Sequence, residues 1–299
     1  MRGISRLRNL LYAALTAAVA LTVAGCGTAK SYDWPGSLGL GSDDAVIETA
    51  PSDTEPQTEP QAAPATGMSD PVGHESAVYG RAIDWDDSYL WNPAAAPDYY
   101  IVTGPSSFDA SAPASFGPVT SVDSMGRPNA ASANISADMV LASAGEREDI
   151  ADDPYGWPYE NPRETIHSSD GSYRYSGWFW NRSHLVADSL GGHAVADNLV
   201  PGTRMQNTGF NGSHGAPYGG MAYEEKRVRD WFWDHIDAGD TSVWCRYAAT
   251  PVYRGDERIP RAVVVEARTS DGSIDDRVVV YNTALGYDID YSTGEVSPS

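Results

Sequence analysis

The sequence predicts an α+β fold, an antiparallel sheet with few helices, preceded by a disordered tether. Three observations carry that reading. The C-terminal part holds SVWCRYAATPVY, AVVVEART and DRVVVYNT, runs of β-branched and aromatic residues, the last two joined by the turn DGS. MAYEEKRVRDWFWDHIDAG (221–239) is the clearest helix: Met221, Val228, Trp231, Phe232 and Ile236 recur at helical spacing, and Gly239 supplies a stop. The stretch IETAPSDTEPQTEPQAAPATGMSDP is rich in Pro, Thr, Glu and Ala and has no aromatic. Such a chain cannot bury enough surface to offset the entropy of ordering.

Along the chain, YYIVTG (99–104) reads as a strand. Residues 105–135 read as loop, with an ordered centre at VDSMGRPNAASANI. ADMVLASAGERED (137–149) is a modest helix candidate, and residues 150–176 read as loop. WFWNRSHLVA and NLVPGTRMQN are short strands or turns.

The N-terminus reads as an export signal. MRGISRLRNL carries Arg2, Arg6 and Arg8 and no acid, and an apolar run follows to Gly25. That run is short for a spanning helix. Val23-Ala24-Gly25-Cys26 resembles a bacterial lipobox, which implies lipid attachment at Cys26. The expected divisions are a lipoprotein signal peptide (1–25), a tether (26–76) and one domain (77–299). The tether's proline and charge favour a stiff spacer that lifts the domain off a membrane. The expected location is the outer face of the cell membrane, with release to the medium as the alternative. Cys245 is the only other cysteine, so no intramolecular disulfide forms in the mature domain; in VWCRY it reads as a buried, inert thiol.

The chain carries 20 basic and 41 acidic residues, a net charge of −21. Loss of the three leader arginines takes it to −24. This argues against a general polyanion-binding surface. Any nucleic-acid chemistry needs a local basic site or a metal.

The candidate chemistry lies in NRSHLVADSLGG (181–192) and DNLVPGTRMQN (197–207). A strand, a second strand and a helix in succession would bring His184, Asn198 and Asn207 into one pocket. Histidine accepts protons near neutral pH. An amide oxygen is a hard, neutral ligand for Mg²⁺, which keeps most of its waters and takes few protein ligands. Zinc is disfavoured, since no cysteine cluster, HExxH or Hx₃H pair is present. The plainer alternative is that His184 caps a turn and the asparagines fill turn positions.

The segment resembles the ββα-metal (His-Me finger) motif of the DNA/RNA non-specific endonuclease family, in its Gram-positive, DNA-entry nuclease-like branch. That family carries D/N-R-G/S-H, an apolar step often followed by Gly-Gly, then N-L-V-x-G-T-x-x-Q-N. The matching residues are Asn181-Arg182-Ser183-His184, Gly191-Gly192 and the run from Asn198 to Asn207. VDSMGRPNAASA (with Asp123, Gly126 and Arg127), YEEKRVRDW and GYDIDYSTGE match further, so the likeness spans roughly residues 95–295. The resemblance implies His184 as general base, Asn207 holding one Mg²⁺ (Mn²⁺ also fits), and Asn198 orienting His184 or the scissile phosphate. Arg182 would support the site or touch phosphate. Glu225 would be the helix glutamate that bonds a metal water, with Glu224 competing. The substrates implied are DNA and RNA, held through the phosphate backbone rather than base edges.

Two departures stand out. Asn181 and Ser183 replace the Asp and Gly of many members, and 208–220 (TGFNGSHGAPYGG) is an insert whose His214 reads as a loop residue. Arg182, Arg204, Lys226, Arg227 and Arg229 could form a basic strip, or merely pair with Glu224, Glu225 and Asp230. The competing readings are a catalytically inactive surface-displayed binding module, an exported toxin, and a peptidoglycan-active lipoprotein, for which no catalytic Glu pair or zinc motif is present. An inhibitor protein is a further partner to consider, and no motif identifies one.

Overall fold

The structure is a computed structural model and describes residues 82–145, 148–211 and 216–299. The expected leader, Cys26, the tether, the first residues of the domain and His214 lie outside the described residues. In chain order the elements are β1 (Tyr100–Gly104), β2 (Gly117–Val122), β3 (Pro128–Ser136) and α1 (Ala137–Ala142). Then come β4 (Arg163–His167), β5 (Arg174–Trp178), β6 (Trp180–His184), β7 (Leu199–Thr203), α2 (Arg204–Thr208) and α3 (Met221–Ala238). The chain closes with β8 (Trp244–Val252), β9 (Ala262–Thr269), β10 (Asp275–Tyr281) and a small hairpin of β11 (Tyr287–Ile289) and β12 (Val296–Pro298).

Six strands form one antiparallel sheet in the order β1-β10-β9-β8-β3-β2. The β-branched C-terminal runs take its middle, where both faces are covered. Val263, Val265 and Ala267 of β9 face Met221, Val228 and Phe232 of α3. Ala262 and Val264 face the opposite way, among Tyr89, Ala96 and Val279. Alternation at a two-residue period gives each face its own core.

The ordered centre of 105–135 is a strand hairpin, and the stretch 150–176, read as loop, also contributes to a sheet. β2 and β3 pair around a turn in which the Asp123 carboxylate accepts the N–H groups of Met125 (2.9 Å) and Arg127 (3.0 Å). Ala130, Ala131 and Ala133 are buried in β3, which lies between β2 and β8. Small Ala, Ser and Asn side chains have weak strand propensity, so tertiary position decides here. β4 and β5 form the second hairpin, with Ile166 and Tyr175 inward and the other face exposed. One inward apolar residue per strand leaves no pattern to read. The helix expected over 137–149 ends at Ala142, where Ser143 donates its N–H to the Leu141 and Met139 carbonyls.

α3 matches its expected span, with Gly239 at φ 85° as its left-handed stop. Gly220, at φ 57°, precedes it. A Cβ there would lie 2.0 Å from the Gln206 carbonyl oxygen, so only glycine lets α3 begin against α2.

Candidate active site

β6 and β7 pair antiparallel, with Trp180 opposite Thr203 and His184 opposite Leu199. Thr203 then turns the chain into α2. Its hydroxyl accepts the Gln206 N–H at 3.0 Å and donates to the Thr283 carbonyl at 2.9 Å. The Thr203 N–H is accepted by the Asn282 side-chain oxygen at 2.8 Å, and the Asn282 amide donates to the carbonyls of Pro201 and Pro260. Asn282 therefore fixes the strand–strand–helix unit to the sheet. It lies in DRVVVYNT, where nothing in the sequence marks it as more than a strand end.

His184 ends β6 and is 8% exposed. The chain beyond it is held by Asn198. The Asn198 side-chain oxygen accepts the Val186 N–H at 3.0 Å, and its amide donates to the Val186 and His193 carbonyls, both at 2.9 Å. The Asn198 backbone carbonyl accepts the Leu185 N–H at 2.8 Å. Asn198 thus braces the backbone on the exit side of His184. The Gly-Gly closes the same loop: Gly192 donates to the Ala187 carbonyl at 2.9 Å. A Cβ on Gly192 would sit 1.9 Å from the Val186 oxygen.

Asn207 lies on α2 and is buried. Its side-chain oxygen accepts the Ser183 hydroxyl at 3.2 Å, and its amide donates to the Asn181 oxygen at 3.5 Å. Both departures from the Asp-Arg-Gly-His pattern therefore touch the expected metal ligand and fix which way its amide is turned. Arg182 is drawn elsewhere, donating to Asp153 at 2.7 Å and lying 4.7 Å from the Trp157 ring centroid.

Glu224 and Glu225 are both buried on α3, so neither is a solvated helix carboxylate. Glu224 accepts from Arg227 at 2.8 Å, and Arg227 also pairs with Asp276. Burial pushes the Glu224 carboxyl up to about 7, against the opposing pull of Arg227. The second Glu224 oxygen is buried with no hydrogen-bond partner among the described residues. Glu225 stands near Arg229 and, with Glu224, near the buried Tyr247, whose hydroxyl burial and these two charges push well up.

The helix cations form surface pairs. Lys226 and Arg229 pair with Asp230, and Arg204 lies 4.8 Å from the Tyr175 ring centroid. Of the two readings left open by their clustering in sequence, the structure favours pairing with acids for Lys226, Arg227 and Arg229. Cys245 is buried, and burial pushes its thiol up, as expected for an inert group.

Glu148 joins the site without a sequence signal. Its carboxylate accepts the Ala194 N–H at 3.0 Å and lies 3.5 Å from His193 Nδ1. That N–H above all, with His193 and His184, holds its carboxyl below the usual value, against the opposing effect of desolvation. A cavity of about 530 Å³ opens between Phe116, Met139, Glu148, Asp188 and His193, beside the loop that follows His184.

The family model for DNA/RNA non-specific endonucleases matches residues 113–271. The chain belongs to this family. A deoxyribonuclease of Streptococcus dysgalactiae subsp. equisimilis is 30% identical over 276 residues, 76% of this chain and 80% of the relative. The Sda1 nuclease, solved with a bound zinc ion, is 33% identical, with a TM-score of 0.59 over 70% of this chain and all of that one. NucA from Streptococcus agalactiae, solved with magnesium, shares the fold at 24% identity and a TM-score of 0.50, over 65% of this chain and 83% of its own. The endonuclease therefore shares the fold of the ββα-metal nucleases, with a large antiparallel sheet and few helices.

Proposed function

We propose that this endonuclease hydrolyses phosphodiester bonds of DNA and RNA outside the cell, with His184 as general base and a single Mg²⁺ held by Asn207. The observation that carries the reading is the Ser183–Asn207 hydrogen bond. It ties the residue before His184 to the α2 amide, so base and metal ligand ride on one rigid unit. The residues fit the ion. The Asn207 oxygen is buried, oriented and accepts one hydrogen bond, which leaves a lone pair for a cation. Among the described residues no three His, Cys, Asp or Glu side chains gather to hold a metal. That donor set suits an ion whose shell is completed by water and phosphate oxygens, as with Mg²⁺ or Mn²⁺, better than a closed tetrahedral zinc site.

The bound ion would supply positive charge against the negative charge that develops on the phosphate in the transition state. His184 removes the proton from an attacking water, a role contributing on the order of 10²–10⁴ in rate. Asn198 keeps the backbone beyond His184 in place, and Arg182, held by Asp153 and Trp157, braces the middle of β6. Glu225 is the helix carboxylate assigned to the metal waters, because Glu224 is tied to Arg227. Asn181 does not favour the inactive-module reading, since its oxygen still accepts from Asn207.

The lipobox-like Val23-Ala24-Gly25-Cys26 and the proline-rich tether (26–76) support a lipid-anchored 77–299 domain at the outer face of the cell membrane, with release to the medium as the alternative. The test is plasmid and RNA digestion by the full chain in Mg²⁺, Mn²⁺, Zn²⁺ and EDTA, beside His184→Ala. Cleavage that needs a metal and His184 is expected. No cleavage of either substrate with any metal by the folded chain would return the protein to a binding role.

A further inference from the structure

The positive charge that α3 does not supply lies on the β4–β5 ribbon. Its register pairs Arg163 with Trp178, Thr165 with Ser176 and His167 with Arg174. By strand alternation these six side chains share one face. Five are exposed and Trp178 is half-buried. The opposite face packs Ile166 and Tyr175 among Phe179, Trp180 and Met205. Glu164, the only acid in either strand, belongs to that inward face and accepts the Tyr287 hydroxyl at 2.8 Å.

A chain of net charge −21 thus presents a face with two arginines, an imidazole, two hydroxyls and an indole, and no carboxylate. Arg127, Arg182, Arg227 and Arg261 are each held by an acid. Among the described residues Arg163 and Arg174 pair with none; Arg163 rests 5.0 Å from the Trp178 ring centroid. The Thr165 and Ser176 hydroxyls bond to each other at 2.9 Å. His167 lies directly opposite Arg174, which puts ring and guanidinium N–H donors side by side on this face. Asp170, in the connecting turn, is held there by Ser168 and Ser172.

We propose that this outward face binds the phosphate backbone of the nucleic acid, beside the cleavage site; the proposal rests on the nuclease reading and extends it. Arg163 and Arg174 stand at opposite ends of the ribbon. They are separated along the strands by about 13 Å, several nucleotide rises, so they meet different phosphates. Arginine and hydroxyl contacts to phosphate carry no base information, which suits an enzyme indifferent to sequence. The ribbon is also fixed to the site. Phe179 alone separates β5 from β6, and its carbonyl accepts the Arg204 N–H of α2 at 2.8 Å.

The experiment measures binding apart from cleavage. A labelled oligonucleotide is titrated by anisotropy in EDTA, across a salt series, with the full chain carrying His184→Ala. The same chain carrying Arg163→Glu and Arg174→Glu is compared with it. Affinity should fall at least about tenfold, and the slope of log K against log salt should flatten by roughly 1.4–1.8, for two lost phosphate contacts. Arg163→Lys with Arg174→Lys should retain most binding. Unchanged affinity and slope would overturn the proposal. So would an equal loss from Arg254→Glu with Arg258→Glu, exposed arginines elsewhere, because net charge alone would then explain it. Absent cleavage by the unmutated chain in Mg²⁺ or Mn²⁺, with ribbon-dependent binding intact, would retire the hydrolase reading and leave this surface standing.

Discussion

His184, Asn198 and Asn207 answer differently to removal because their bonds differ. His184 ends a strand whose register with β7 is set by backbone pairing, so truncating it leaves the fold in place. His184→Ala should lose about 10²–10⁴ in rate with an unchanged melting temperature, checked by plasmid digestion and thermal denaturation. Asn198 holds Val186 and His193 by three side-chain bonds. Asn198→Ala strands buried backbone groups and should cost about 2–3 kcal/mol in urea unfolding. It should lower kcat more than it raises KM, because the base is displaced while substrate contacts remain. Asn207→Ala should raise the Mg²⁺ concentration for half-activity, read from a metal titration of the cleavage rate.

At the scale of elements, α3 carries a pH dependence. Glu224 sits near 7 in the folded chain against an ordinary 4.5. Between those values the folded state holds more protons than the unfolded one, so stability is full below about 4.5 and falls as pH rises toward 7. The loss is on the order of 3 kcal/mol. Glu224→Gln should flatten that fall, and urea midpoints measured across this pH range would show it; an unchanged slope would assign the dependence to other groups. Gly220 carries a second constraint. Its left-handed φ and contact with the α2 carbonyls mean that Gly220→Ala must move α3 away from α2. Several kcal/mol of destabilisation and reduced cleavage are expected together, since α2 bears Asn207.

For the molecule as a whole, charge placement is the deciding feature. An acidic body repels a polyanion, so productive binding depends on a few local contacts and on a cation. Raising salt should weaken substrate binding steeply even at saturating metal, and KM for long DNA should rise with little change in kcat. A KM indifferent to salt would show that electrostatic contacts do not hold the substrate.

Much of this molecule was legible in its residues. The β-branched runs of β8 to β10 and the stripe of α3 declare themselves, because a buried face repeats with the period of the element that bears it. The spaced motif around His184 and Asn207 declares the family, because its histidine, its asparagines and the Gly-Gly turn are local in the chain. Other features were not legible. Ala-rich β3 and the β4–β5 ribbon have no strong local pattern, and they become strands only when neighbours cover them. Asn282 and Glu148 come to the site from far along the chain. The α3 cations look like a basic strip until folding pairs them with acids, while the ribbon carries two arginines, Arg163 and Arg174, that no acid among the described residues holds. Local periodicity marked the elements with a strong buried stripe, and local motif marked the family. Long-range pairing decided which charges survive at the surface and which carboxylates are buried, because burial and ion pairing depend on distances that the chain's order does not contain.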